Sequence, residues 1–261
     1  MKLLSRGARA LVAVALAPAV ALAPPARADV QPLRVAPARD AALIGTAGAL
    51  ALVLSLPLAA PRRCRVCGVD ELDASIRERL AWKDPSAARR ASDVLANGIL
   101  PAAALANSAL SSWRGGDPGA FWTDALVLAE VVSVSTALDA IAKDAVARRR
   151  PTAGLAARGA ADESFYSGHT SLAFALAAGA GTISTLRGYP SAPWVWGGGM
   201  ALAAGVGYLR VAGDAHWGTD VLAGAAAGGL VGFGVPWLLH RVPGSRRLDL
   251  APAPGGVALR F

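Results

Sequence analysis

Three short clusters in this chain of 261 residues combine cations, a helix-opening glycine and histidines at spacings that suit an anionic substrate. The first is KDAVARRRP, where Lys143 and Arg150 stand about two helical turns apart and Pro151 biases the chain to leave a helix. The two cations can share one face if the helix persists; the plain alternative is the basic flank that closes an apolar helix. The second is FYSGHTS. Gly168 permits close backbone approach, Ser167 offers a hydroxyl, and a helix starting here would aim its unpaired N–H groups at an anion. An ordinary serine cap beside His169 is the alternative. The third is RVAGDAHWGTD, in which Arg210 precedes His216 and Asp220 follows it by four. Residues four apart are neighbours on a helix, so Asp220 can accept a hydrogen bond from one ring nitrogen of His216 and leave the other free as a nucleophile. Asp214 reads as a solvated loop carboxylate. His240, the last of the three histidines, reads as a helix-end residue without comparable partners.

Such clusters need rigid elements to bring them together, and the composition points to helices. The chain is 54% hydrophobic and 17% charged, with a mean hydropathy of +0.43. Much of the apolar content is alanine, which favours helix while being only weakly hydrophobic. Apolar runs fall at about 41–60, 94–112, 170–186, 188–209 and 221–239, and a sixth at 121–142 is interrupted by Asp124, Glu130 and Asp139. Several reach the roughly 20 residues that a membrane span needs. The expectation is all-α: a bundle of about six long helices, membrane-embedded, with a phosphate pocket between helices and no sheet core. The tail SRRLDLAPAPGGVALRF is expected either to form a turn and a strand-like extension or to be disordered.

The net charge is +8, with basic residues concentrated at 62–90 and 143–158 and no nucleic-acid-binding motif beside them. Lipid headgroups or phosphorylated substrates fit that charge better than nucleic acid. At the N-terminus, Lys2, Arg6 and Arg9 precede an apolar run, and ARA at 26–28 gives a small-x-small cleavage pattern, so residues 1–28 are read as an export signal, with an uncleaved anchor as the alternative. Cys64 and Cys67 form CRVC without a second cysteine pair or a following histidine. That leaves a local bridge or two free thiols. The expected organisation is the signal at 1–28, an apolar helix and basic cysteine loop over 29–92, a helical domain over 93–240, and a tail over 241–261.

Read together, K-x6-RP, SGH and R-x5-H-x3-D resemble the type 2 phosphatidic acid phosphatase superfamily, the group that also contains bacterial acid phosphatases and vanadium haloperoxidases. The resemblance covers roughly Lys143 to Asp220. Tyr166 stands where the family often has proline, and Leu209 where it often has serine. The resemblance implies that Lys143, Arg150 and Arg210 surround a phosphoryl group, helped by Ser167 and the Gly168 amide. His216, oriented by Asp220, would be the nucleophile, and His169 the general acid. No metal or other cofactor enters this scheme.

The expected function is metal-independent hydrolysis of lipid phosphates or pyrophosphates, such as a phosphatidate or an isoprenyl diphosphate, through a phosphohistidine. The expected partners are that phosphorylated lipid and the membrane. A secreted acid phosphatase for small soluble substrates is the enzymatic alternative, and a catalytically silent membrane scaffold with a phosphate pocket is the non-enzymatic one. The expected location is the cell envelope membrane, with the site facing outside the cytoplasm.

Overall fold

The computed structural model describes residues 30–56, 64–152, 160–243, 249–253 and 256–260. The expected export segment at 1–28 lies outside them. Among the described residues the helices are α1 (Pro37–Ser55), the short α2 (Glu71–Leu80), α3 (Pro85–Val94), α4 (Leu100–Arg114), α5 (Ala120–Val146), α6 (Gly168–Arg187), α7 (Ala192–Ala212) and α8 (Gly218–Val235). A π-helical turn at Leu95–Ile99 joins α3 to α4 in one rod, and another at Pro236–His240 extends α8. The all-α expectation of about six long helices holds. The tail forms a two-stranded antiparallel hairpin, β1 (Asp249–Ala253) with β2 (Gly256–Arg260).

Local signals set the helix ends. Asp70 opens α2 by accepting the Asp73 N–H at 2.8 Å, and Asp84 opens α3 on the Ser86 N–H at 3.1 Å with Pro85 in the first position. α6 ends on Gly188 at φ +73°, a left-handed conformation that glycine adopts without steric cost.

The rods α1, α3–α4, α5 and α8 with its extension are each long and apolar enough to cross a membrane. α8 shows why hydrocarbon suits this bundle, since Leu222, Leu230 and Leu238 are 65–78% exposed along it. Its opposite face is glycine. Gly224, Gly228 and Gly232 pack against the backbone carbonyls of Ser167, Ser171 and Ala175, and a Cβ on any of the three would lie within 2.6 Å of an α6 oxygen. Side chains this small let two backbones approach closely. The steps of four on both helices run in the same direction, so α6 and α8 are parallel and in fixed register.

The three acidic interruptions in α5 all find partners inside the bundle. Asp124 is held by Arg187 at 2.7 Å, by Tyr189 at 2.9 Å and by Ser108. Glu130 meets His240 at 2.8 Å, and Asp139 meets Lys143 at 2.5 Å. His240 is therefore more than a helix end: it is fully buried, with Nδ1 against the carbonyl of Arg34 and Nε2 against Glu130. Asp214 is likewise no solvated carboxylate. It sits at φ +53° and is 9% exposed, gripped by Arg77 through two bonds of 2.6 and 2.8 Å.

Candidate active site

The parallel start of α6 and α8 puts Ser167, Gly168 and His169 beside the loop that carries His216. The link is direct, because the Ser167 N–H donates to the carbonyl of Asp220 at 3.1 Å. Ser167 occupies the cap position of α6, but its hydroxyl bonds Thr170 Oγ1 at 2.8 Å rather than a backbone amide. Gly168 is required by contact, since a Cβ there would stand 2.6 Å from Asp139 Oδ2.

His216 precedes α8, which begins at Gly218, so the helical i,i+4 geometry expected with Asp220 is not the one observed. The imidazole Nδ1 lies 2.8 Å from the Ser164 carbonyl oxygen, whereas Asp220 Oδ2 is 3.8 Å away. A carbonyl can only accept, so Nδ1 carries the proton and Nε2 keeps its lone pair. Asp220 supports this arrangement from behind. It accepts from Ser164 Oγ at 2.5 Å and from the Trp217 N–H at 3.0 Å, closing the first turn of α8. Burial first, and then the charges of Arg150, Arg210 and Lys143, hold the His216 imidazole below its ordinary pKa and so neutral.

Three cations surround the two histidines closely enough for their charge to bear on both rings. Lys143 lies in the last turn of α5. That helix ends before Arg150, with Ala147 left-handed at φ +44°, so the two cations do not share a helical face as the spacing suggested. Arg150 is carried instead by an extended segment, fixed by its N–H on the Ala161 carbonyl at 2.8 Å and by Nη2 on the Glu163 carbonyl at 3.1 Å. Arg210, in the last turn of α7, donates to Asp93 at 2.9 Å and Ser92 at 3.1 Å. The Nε atoms of both arginines are buried without a hydrogen-bond partner among the described residues. Burial lowers the pKa of Arg150. Unpaired, desolvated guanidinium donors facing two histidines make a pocket that an oxyanion would complete.

Several members of the site carry no motif. Arg148 bonds Asp220 and Asp73 at 2.6 Å each, and Asp73 also accepts from the Thr219 N–H at 2.9 Å, so α2 anchors the start of α8. Burial opposes ionisation of Asp73, yet the bonds from Thr219 and Arg148 hold its pKa below the ordinary carboxylate range. Cys64 and Cys67 form a disulfide. Their loop pairs with the strand-like run before Arg150, through the Arg65 N–H to Ala147 O and the Arg149 N–H to Val66 O, both at 3.0 Å. From α3 and the turn after it come Asp93, 3.0 Å from His169 Nε2, and Asn97, 3.3 Å from the same nitrogen.

Comparison with known proteins bears on the family and the fold. Residues 124–243 match the model of the PAP2 superfamily. A stretch of 74 residues, 28% of this chain, is 42% identical to a lipid A 1-phosphatase of Porphyromonas gingivalis, and it spans only 16% of that relative's length. The fold resembles the crystal structure of a transmembrane PAP2-type phosphatidylglycerolphosphate phosphatase from Bacillus subtilis. That match has a TM-score of 0.51 at 19% identity and covers 76% of this chain and 94% of the other.

Proposed function

We propose that the chain, whose residues 124–243 match the PAP2 superfamily and whose helices include four long and apolar enough to cross a membrane, is a phosphatase that hydrolyses phosphorylated lipids through a phosphohistidine. The observation that carries this reading is the bond of His216 Nδ1 to a backbone carbonyl, which leaves Nε2 as the free base inside a buried ring of cations. Nε2 attacks phosphorus while Lys143, Arg150 and Arg210 match the charge spread over the equatorial oxygens. His169 protonates the departing oxygen. Water then attacks the phosphohistidine and gives a proton back to His169, releasing phosphate and restoring both rings.

Two features favour a lipid substrate. The relatives above are named for phosphorylated lipids. A cleft of about 450 Å³ between α1 and α5 is also lined both by Lys143, Asp139 and Glu163 and by Leu52 and Val132. Such a mixed lining suits a molecule with a phosphate head and a hydrocarbon tail. The side facing outside the cytoplasm is assigned to the site, because the Cys64–Cys67 disulfide lies against residues 147–149 and disulfides persist in oxidising compartments.

The reading is tested by phosphate release from a short-chain phosphatidate in detergent with EDTA present. Turnover that survives the chelator and stops with vanadate is expected, since side-chain cations supply the charge and vanadate imitates the five-coordinate phosphorus. Strict dependence on Mg²⁺ would require another mechanism.

A further inference from the structure

A second cluster of ionisable side chains lies at the other end of the α8 rod from His216. His216 precedes the first turn of α8 and His240 closes its π-helical extension, so the rise of the helix sets the two histidines roughly 30 Å apart. Asp40 joins His240 from the first turn of α1, and Glu130 from the middle of α5. All three side chains are fully buried, and one ligand atom from each lies within 4.8 Å of the other two. None of them belongs to the three motifs or to the reaction described above. Two buried carboxylates this close repel each other unless positive charge stands between them.

The hydrogen bonds around His240 point to a cation. Nδ1 lies 2.8 Å from the carbonyl oxygen of Arg34, which can only accept, so Nδ1 carries the proton and Nε2 of the neutral ring keeps its lone pair. That lone pair faces Glu130 Oε2 at 2.8 Å, acceptor against acceptor. The second oxygen of the same carboxylate, Oε1, is buried with no hydrogen-bond partner among the described residues. Asp40 is oriented from behind, with Oδ2 accepting from the Ala36 N–H at 2.8 Å and Oδ1 from Arg39 Nε at 2.7 Å. Arg39 is 34% exposed and also bonds the Leu239 carbonyl, so it shares its charge with solvent at the rim. An imidazole whose N–H is fixed by a backbone carbonyl, beside carboxylates held by outer donors, is the arrangement of metal ligands with their supporting shell.

We propose that Asp40, Glu130 and His240 form a structural site for a divalent first-row metal ion, with Zn²⁺ the best match to one imidazole nitrogen and two carboxylates. His240 Nε2 and one or both oxygens of Glu130 turn to the ion instead of to each other, and Asp40 completes the set. The two carboxylates balance the two charges of the ion. Its role is to clasp α1 to α5 and to the end of α8. α1 also supplies Ala51 and Leu52 to the cleft that holds Lys143, so the clasp at one end of α1 steadies the wall formed by the other. The site is independent of the phosphatase reading and leaves its chemistry free of metal. An ion enclosed by fully buried ligands exchanges slowly, so brief exposure to EDTA during an assay leaves it in place.

The test is the metal content and the thermal stability of the full chain, purified in detergent from cells grown with Zn²⁺ and desalted without chelator. Elemental analysis should find about one Zn²⁺ per chain in the wild type, and His240→Gln and Glu130→Gln should each lose most of it. A second measurement needs no variant. Wild type from zinc-depleted cells should unfold at a lower temperature than the zinc-replete protein, and added Zn²⁺ should restore the difference where Mg²⁺ does not. Metal-free wild type from zinc-replete cells, with a Tm indifferent to Zn²⁺, would make His240 and Glu130 an imidazolium–carboxylate pair and overturn the proposal. Equal zinc in the wild type and His240→Gln would place the ion elsewhere and overturn it as well.

Discussion

The imidazole Nδ1 of His216 lies 2.8 Å from the carbonyl oxygen of Ser164, a full ångström closer than the carboxylate of Asp220 at 3.8 Å. The carbonyl fixes the tautomer, and Asp220 fixes the carbonyl's segment through Ser164 Oγ and the Trp217 N–H. Asp220 is on this account a positioning residue. Asp220→Asn loses the charge that Arg148 and the start of α8 depend on, and should lower kcat about tenfold or more while changing phosphate inhibition little. Equal loss of kcat and of phosphate affinity would mean that the carboxylate shapes the binding pocket itself.

Acid should act on the fold through the same histidine. In the folded chain the His216 pKa is depressed below its ordinary value of 6.5, whereas the unfolded chain takes up the proton near that value. Its contribution to stability is therefore complete above pH 6.5 and lost as the pH falls below it. Thermal unfolding in detergent should show a declining Tm below pH 6.5, and His216→Gln, which cannot titrate, should decline less steeply. Parallel curves for the two proteins would assign the acid sensitivity to other groups.

Two neighbouring glycines of α8 make a controlled pair. A Cβ at Gly228 would collide with the backbone of Ser171, while one at Gly229 meets nothing within 4 Å. Gly228→Ala should cost about 1–3 kcal/mol, the usual scale of overpacking, and shift the SGH segment away from His216. Gly229→Ala should leave activity intact and stabilise slightly, because alanine is the better helix former. Similar unfolding temperatures for the two variants would show that the α6–α8 contact tolerates separation.

The disulfide provides a test of orientation. After mild reduction of intact cells, Cys64 and Cys67 should react with a membrane-impermeant maleimide, and the double serine variant should give no labelling. Arg150 keeps its own anchors on Ala161 and Glu163, so that variant should also retain turnover. Labelling only after the cells are lysed would place the site on the cytoplasmic side.

The side chains that this reading assigns to the pocket were legible in the sequence, because charge and nucleophilicity reside in residue type and the spacings of Lys143–Arg150, Ser167–His169 and Arg210–Asp220 are distinctive. The long helices were legible from their apolar runs. The partner of His216 was not, since a backbone carbonyl leaves no mark in residue identity and Ser164 reads as a loop serine. The end of α5 before Arg150 was obscured for a related reason: Ala147 adopts a left-handed conformation that alanine seldom announces. Asp93 and Asn97 do stand at helical spacing, but in a basic, polar stretch such a face reads as solvated. Only the packing of α3 against α7 turns it inward. His240 and Asp214 were read too plainly, because their partners Glu130 and Arg77 lie more than a hundred residues away in sequence.

The central claim, that His216 Nε2 becomes covalently bound to phosphorus, is tested most directly by trapping. Enzyme mixed with a ³²P-labelled aryl phosphate and quenched within milliseconds in alkali should carry label that is stable to base and lost in acid, as a phosphohistidine is. His216→Ala should carry none. His169→Ala should still be labelled by the aryl phosphate, whose phenolate needs little protonation to depart, yet fail with an alkyl phosphate. Label persisting in His216→Ala, or label in the wild type that withstands acid, would contradict the assignment and move the nucleophile elsewhere in the pocket.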